Sequence, residues 1–189
     1  MTDQDLNNDL YLIKKISEKD TDSLSRFYDL HSKHLFTLIC YILKNEAEAE
    51  DVLQEVFLQI WDKADSYDES LGSPLSWIVK ITRNKAIDRL RSKSFKKKSE
   101  ETDIDRFNNL ADNSVNPEKD ADFKIQKKEI LEALSELSEN QKDLIEFAYF
   151  RGYSQTELAE HFKIPLGTIK TRMRSAMMIL RNKLKHLIR

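Results

Sequence analysis

The stretch YSQTELAEHFKIPLGTIKTRMRS, Tyr153 to Ser175, contains the signals of two short helices joined by a turn. Ser154 and Glu157 have the spacing of a capping box, which predicts a helix from about Gln155 to Phe162. Pro165 then interrupts the helical periodicity, because proline disfavours a helical conformation in the residue before it. The stretch therefore predicts a helix-turn-helix.

The second helix of this pair has two different faces when residues are placed 100° apart. One face is apolar and consists of Ile169, Met173, Ala176 and Leu180, whereas the other consists of Thr171, Arg174, Ser175 and Met178. From residue 165 to residue 189 the chain has seven basic residues and no acidic one. A basic second helix is typical of proteins that read the major groove of DNA, although a solvated basic helix at the end of a bundle has the same pattern.

The composition indicates a mostly helical protein, since 189 residues include only three glycines and three prolines. The longest apolar stretch, Leu35 to Leu43, is far shorter than the ~20 residues that span a membrane. The N-terminus has no apolar segment of the kind found in signal peptides. We therefore expect a cytoplasmic protein without membrane insertion.

Cys40 is the only cysteine, which excludes an internal disulfide and a multi-cysteine zinc site. His31, His34 and Cys40 are too scattered along an apolar helix to favour a metal site over ordinary core and surface roles. We expect no metal, no cofactor and no small-molecule substrate.

Charge is strongly segregated along the chain. Residues 46–69 contain nine acidic residues and one lysine, residues 83–98 contain eight basic residues and one aspartate, and residues 99–120 contain seven acidic and two basic residues. Blocks of alternating sign favour several distinct partners over a uniformly basic nucleic-acid binder.

Helical periodicity covers most of the chain outside residues 99–120. It predicts helices at Leu10–Ile16, Thr21–Lys44, Ala47–Trp61, Pro74–Arg91, Lys124–Leu134 and, after a second capping box at Ser138 and Gln141, up to about Phe150. Residues 99–120 have few large apolar side chains and no periodicity, which is typical of a linker. We predict an all-α fold with two small helical domains, 1–98 and 121–189, joined by a flexible acidic linker; the C-terminal domain contains the helix-turn-helix.

Four segments in this order resemble the extracytoplasmic-function group of bacterial RNA polymerase sigma factors. They are AEDVLQEVFLQIW from Ala49 to Trp61, the Trp-bearing basic helix that ends AIDRLR, the acidic linker, and SxxELA followed by PxGTIKTR. The resemblance covers nearly the whole chain. It implies a non-enzymatic sigma factor that binds core RNA polymerase and promoter DNA, with a region 2 domain at 1–98 and a region 4 domain at 121–189. It also implies a possible anti-sigma factor as a partner.

The resemblance assigns docking on core polymerase to the acidic helix. The matching residues are Asp51, Gln54, Glu55 and Phe57. With Leu58, the three polar residues follow spacings of three and four, so polar groups surround an apolar contact, as in many protein interfaces. A solvated acidic face over a local core is the alternative, and Phe57 fits either interpretation.

The next helix carries a stripe suited to single-stranded DNA. Trp77, Lys80, Ile81, Asn84, Asp88 and Arg91 share one face. Rings stack on bases, amides contact base edges and cations bind phosphates, although Trp77 also fits a core position. The resemblance implies that this region melts the minus-ten promoter element, that Asn84 contacts a base, and that the loop from Ser66 to Pro74 shapes the base pocket.

For the helix-turn-helix, the resemblance implies recognition of the minus-thirty-five element. The positions that contact bases in relatives are Thr171, Arg174 and Ser175 here, while Lys170, Arg172 and Arg181 are better placed to bind phosphates. Lys163 occupies the turn position at which relatives often have glycine.

Two other classes of protein are compatible with parts of the sequence. An autonomous helix-turn-helix regulator would explain the C-terminal domain and leave the acidic helix and the Trp77 stripe unexplained. A nucleic-acid hydrolase would have to use the acidic residues Glu46, Glu48, Glu50 and Asp51, which have no histidine, glycine-rich phosphate loop or metal-ligand spacing beside them.

Overall fold

The computed structural model describes residues 3–96 and 130–185. These residues belong to two compact units, divided between Lys98 and Ser99. Neither described range contains a β-strand, so the predicted all-α fold is confirmed. The predicted linker, 99–120, lies outside the described residues.

The first unit contains four α-helices in its described part. They are α1, Asp3–Ser17; α2, Thr21–Leu43; α3, Glu46–Lys63; and α4, Pro74–Lys96. Two short 3-10 turns, Ala64–Ser66 and Glu69–Leu71, lie between α3 and α4. Helix α1 begins before the predicted start at Leu10, because its first turns are polar and give no apolar periodicity.

Helix α2 lies at the centre of the first unit and packs against both α3 and α4. The largest fully buried side chains of this core come from all four helices: Leu12, Ile16, Phe27, Leu35, Ile39, Val52, Val56, Ile60 and Ile78. Burial of each such side chain contributes about 1.5–3 kcal/mol. This core fixes which faces of α3 and α4 remain exposed.

A buried polar contact also joins α1 to α2. Asp9 is 3% exposed, and its Oδ1 lies 2.9 Å from Nε2 of His31. The pair supplies each buried polar group with a partner, which is the condition for placing such groups in a core. His31 therefore has a structural contact in the bundle.

The second unit contains the predicted helix-turn-helix. Its helices are α5, described over 130–135; α6, Glu139–Tyr149; α7, Gln155–Phe162; and α8, Leu166–Lys183. Both predicted capping boxes are present. At the start of α7, Ser154 N donates to Glu157 Oε2 over 2.6 Å, and Glu157 N donates to Ser154 Oγ over 3.2 Å.

Two small clusters form the core of the second unit. One comprises Leu144, Phe147, Leu158 and Ile169, and the other comprises Leu137, Ile145 and Ala176. Met173 packs against both clusters and Leu180 against the second. The predicted apolar face of α8 is confirmed, and the opposite face of that helix is left exposed.

None of the helices in the described ranges combines the length and the apolarity needed to cross a bilayer.

Candidate nucleic-acid and partner interfaces

The exposed face of α3 contains most of the residues that the sequence assigns to docking. Asp51 and Gln54 are exposed. Leu58, one turn after Gln54, is 65% exposed, which is high for a large apolar side chain. An exposed leucine between polar neighbours occurs both in protein contacts and on ordinary solvated surfaces, so Leu58 leaves the docking assignment a prediction.

Glu55 differs from these residues because it already has partners inside the chain. Its Oε2 lies 3.2 Å from Lys85 Nζ, and its Oε1 lies 2.5 Å from Arg89 Nη2. Both cations belong to α4. The carboxylate therefore connects α3 to the helix that carries the Trp77 stripe, a contact that sequence periodicity could not reveal.

Phe57 lies in the core, where it is 6% exposed. Its ring packs against Tyr28 of α2, with centroids 4.6 Å apart. Tyr28 itself is 43% exposed and was not singled out from the sequence, since a tyrosine in an amphipathic helix gives no distinctive signal. Phe57 therefore lies in the core beneath the exposed face of α3. Through its contact with Phe57, the exposed Tyr28 of α2 lies next to that face.

The polar residues of the α4 stripe all face solvent. Lys80, Asn84, Asp88 and Arg91 are exposed, whereas Thr82 and Ala86, on the other side of the helix, are fully buried. The amide oxygen of Asn84 accepts a hydrogen bond from Arg83 over 3.3 Å. Its side chain is exposed, and its amide nitrogen is a donor that this hydrogen bond does not use.

Trp77, at the start of the stripe, is half-buried and packs against the loop that precedes α4. Its ring meets the ring of Tyr67 edge to face, with centroids 5.5 Å apart. The Tyr67 hydroxyl donates to the carbonyl of Gly72 over 2.9 Å. Burial raises the pKa of Tyr67, and the carboxylates of Glu69 and Asp68 raise it further.

The same loop depends on a glycine with an unusual backbone. Gly72 has φ 146° and ψ 171°, a region that is essentially restricted to glycine. A Cβ atom at this position would lie 2.7 Å from Oγ of Ser76. The loop also presents Leu71, which is 86% exposed. Together, Trp77, Tyr67 and Leu71 give the start of the stripe an aromatic and apolar border.

The exposed face of α8 is basic. Lys170, Thr171, Arg174 and Arg181 are exposed, as are Met177 and Met178. Arg172 and Ser175 are half-buried at its edge. The helix thus presents two cations in its first half, where a recognition helix contacts base edges, and a further cation beyond them.

Two of the predicted base-contacting hydroxyls on α8 have partners within the chain. Thr171 Oγ1 donates to the carbonyl of Gly167 over 2.9 Å, and Gln141 Nε2 donates to Ser175 Oγ over 3.4 Å. The Thr171 hydroxyl retains acceptor capacity, and Ser175 is held toward α6. Of the three predicted base-contacting residues, only Arg174 is exposed without a hydrogen-bond partner among the described residues.

Within residues 3–96 and 130–185, no group of three or more His, Cys, Asp and Glu side chains is arranged to hold a metal ion. The acidic residues at the start of α3, which a hydrolase would have to use, fall within this range.

Comparison with known proteins gives consistent matches to both units. The model of Sigma-70 region 2 matches residues 27–96, and that of Sigma-70, region 4 matches residues 133–182. The ECF RNA polymerase sigma factor SigK of Mycobacterium sp. (strain KMS) is 30% identical over 176 residues, covering 90% of this chain and 88% of that protein.

A second relative and a solved structure have similar coverage. The SigK of Mycobacterium bovis (strain BCG / Pasteur 1173P2) is 30% identical over 183 residues, covering 94% of each protein. Rhodobacter sphaeroides SigE, solved in complex with the anti-sigma ChrR, is 25% identical with a TM-score of 0.47, covering 90% of this chain and 97% of that one.

Proposed function

The chain belongs to the extracytoplasmic-function group of RNA polymerase sigma factors, which bind core polymerase and direct promoter-specific transcription initiation, and we propose that its two units divide this activity. Residues 1–98 dock on the polymerase and melt the minus-ten element. Residues 121–189 recognise the minus-thirty-five element, and residues 99–120 connect the two. An autonomous regulator is not favoured by this family membership.

Docking on core polymerase is assigned to the outer face of α3. Asp51 and Gln54 supply polar contacts around the exposed Leu58, while Glu55 lies at the edge of this face and Phe57 supports it from the core. The support for this assignment is the exposure of a large apolar side chain among polar ones. Polar groups around an apolar side chain are the pattern of a small protein contact.

Melting of the minus-ten element is assigned to the α4 stripe. The observation that supports it best is the arrangement of Lys80, Asn84, Asp88 and Arg91 on the solvent side of a helix whose other side is buried. Trp77 borders this stripe beside the loop that carries Gly72. Asn84 contacts an unstacked base, and the cations bind the backbone of the separated strand.

Recognition of the minus-thirty-five element is assigned to the exposed face of α8. Arg174 makes a bidentate contact to a guanine, Thr171 contacts a neighbouring base, and Ser175 lies at the edge of this set. Lys170, Arg172 and Arg181 bind phosphates. The distribution of exposed cations opposite the buried Ile169 and Ala176 supports this orientation.

The partners that follow from this proposal are core RNA polymerase, promoter DNA and an anti-sigma protein of the kind that the family implies. Since RNA polymerase and promoter DNA are in the cytoplasm of bacteria, we place the protein there. It acts by binding and has no catalytic activity of its own.

The test is run-off transcription by purified core polymerase on a pool of genomic fragments, with and without the protein. We expect new, sequence-related start sites that depend on the protein.

Gln54→Ala should weaken binding to core polymerase by about 1 kcal/mol, because it removes a polar contact while helix propensity barely changes. Unaltered core affinity in a correctly folded variant would refute the docking assignment.

Asn84→Ala tests the melting assignment separately. It should leave core binding and closed-complex formation intact and reduce promoter opening, since its amide is assigned to an unstacked base. A template with a premelted minus-ten segment should restore the reaction. An equal defect at the opening step on premelted and duplex templates would show that Asn84 does not act through melting.

A further inference from the structure

Glu55 forms two ion pairs that no part of the proposed function uses. One oxygen lies 3.2 Å from Lys85 Nζ and the other 2.5 Å from Arg89 Nη2. The three side chains are 41%, 34% and 28% exposed, in the order Glu55, Lys85, Arg89. The cluster is therefore open to solvent and to competing ions.

Lys85 and Arg89 lie beside the stripe that is assigned to single-stranded DNA. Each directly follows a stripe residue, Lys85 after Asn84 and Arg89 after Asp88. The two cations are four residues apart, so they share one row of α4, about 6 Å apart along the helix axis. A strand laid over the stripe would have its backbone within reach of this row.

The Glu55 carboxylate places two anionic oxygens where phosphate oxygens could bind. A lysine and an arginine on one helical row are a suitable pair of ligands for a phosphodiester, because arginine donates in a planar fork and lysine adds a compact charge. Part-exposed ion pairs contribute little to stability. An exchange of carboxylate for phosphate at these cations is therefore energetically accessible.

We propose that Lys85 and Arg89 form a phosphate-binding site for single-stranded DNA, and that Glu55 covers this site in the free chain. The proposal rests on the assignment of α4 to the separated strand. Glu55 lies at the edge of the docking face of α3, and because that face is acidic, we expect a complementary basic surface of the bound polymerase to compete for its carboxylate. Docking then releases two cations for the DNA backbone.

A purely structural clamp between α3 and α4 is the competing explanation. Helices α3 and α4 pack against each other, and both contribute fully buried side chains to the core, Val52 and Val56 from α3 and Ile78 from α4. A clamp predicts that removal of the charge of Glu55 leaves DNA affinity unchanged or lowers it. A cover predicts that affinity rises.

The experiment uses the full chain without polymerase and a fluorescently labelled oligothymidylate, with affinity measured by anisotropy at several salt concentrations. Glu55→Gln should bind about two- to fivefold more tightly than wild type at low salt, the range that a part-exposed ion pair supports. Its affinity should also fall more steeply with salt, because more phosphates are contacted.

Asp62→Asn is the matched control. Asp62 is an exposed acid of the same helix with no ion pair among the described residues, so the variant has the same change in net charge. It should bind like wild type. In the Glu55→Gln background, Lys85→Gln with Arg89→Gln should abolish the gain, and circular dichroism should verify that each variant is folded.

The proposal is overturned if Glu55→Gln binds no better than Asp62→Asn, if neither binds measurably at low salt, or if the gain survives loss of both cations. Because polymerase is absent, these outcomes do not depend on the docking assignment. A gain in Glu55→Gln together with normal core binding by Gln54→Ala would uphold the phosphate site and refute the docking face.

Discussion

Helices α4 and α8 both carry many cations, but they hold them differently. On α4, Lys85 and Arg89 are paired with Glu55, and the solvent-facing stripe includes the acidic Asp88. On α8, Lys170 and Arg174 form no ion pair with any described residue, and the helix contains no acid. The outer face of α8 therefore exposes cations without an acidic partner among the described residues, whereas α4 has two cations paired with Glu55 beside a stripe that carries an amide, an acid and the exposed Lys80 and Arg91.

This difference matches the two forms of DNA that the helices are assigned to bind. Free cations favour any duplex, and base contacts then select the sequence. Stacking and amide contacts require bases that have left the double helix, so they follow the binding of duplex DNA. We infer that α8 can act as the first contact and that α4 acts later.

The largest expected effect comes from a substitution that disturbs only the loop before α4. Gly72→Ala should cost about 3 kcal/mol in the loop that supports Trp77, because its backbone lies in a region nearly restricted to glycine and the new Cβ meets Ser76. Open-complex formation, followed by permanganate reactivity of the minus-ten thymines, should fall sharply. Duplex binding through α8 should not change.

Gly167→Ala is the matched control on the α8 side. No atom lies within 4 Å of the Cβ that alanine would add there. This variant should fold normally and open duplex promoters, in the same permanganate assay, as wild type does. An opening defect as large as that of Gly72→Ala would show that the loop geometry is not what limits α4.

The next effect, about 2 kcal/mol, tests whether α8 reads sequence. Arg174→Ala should reduce initiation most on the preferred promoter and relax the preference at one base pair of the minus-thirty-five element, since Arg174 projects from the exposed face. Initiation rates against all single-base variants of that element provide the measurement. A uniform reduction across the variants would mean that α8 is a basic clamp.

The sequence predicted those features that depend on local chemistry. Capping boxes at Ser154 and Ser138 define helix starts, because their partners lie three residues away in the chain. The apolar face of α8 follows from periodicity alone. The order of the motifs was sufficient to identify the family, which the relatives bear out.

Contacts between side chains of different helices could not be predicted from the sequence. Glu55 meets Arg89, which is 34 residues away, and Phe57 meets Tyr28 on another helix. Periodicity reports which face of a helix is apolar but not which residue of a second helix lies opposite. The structure was therefore needed to assign the residues of α3. Asp51, Gln54 and Leu58 are on the surface, Phe57 is in the core, and Glu55 pairs with cations of α4.

A smaller effect, about 1 kcal/mol, tests whether the two units are stabilised independently. Lys44 ends α2 and Lys163 ends α7, and both have φ 53°, a left-handed conformation that glycine adopts without strain. Lys163→Gly should stabilise the second unit, and Lys44→Gly the first. Hydrogen exchange measured separately for α2 and α8 should show each gain confined to its own unit; equal protection in both would contradict this independence.

The smallest effect separates two neighbouring cations of α8. Arg181 is exposed on the same side as Arg174, whereas Lys183 Nζ lies 2.5 Å from Glu136 Oε1. Arg181→Gln should therefore reduce the salt dependence of duplex binding by about one counterion, a slope change of roughly 0.9. Lys183→Gln should leave the slope nearly unchanged, because its charge is already matched within the chain.

Both variants remove one positive charge, so a general loss of attraction would lower affinity equally. Equal slopes for the two would mean that the duplex competes with Glu136 for Lys183, and that the free cations of α8 extend to its last turn.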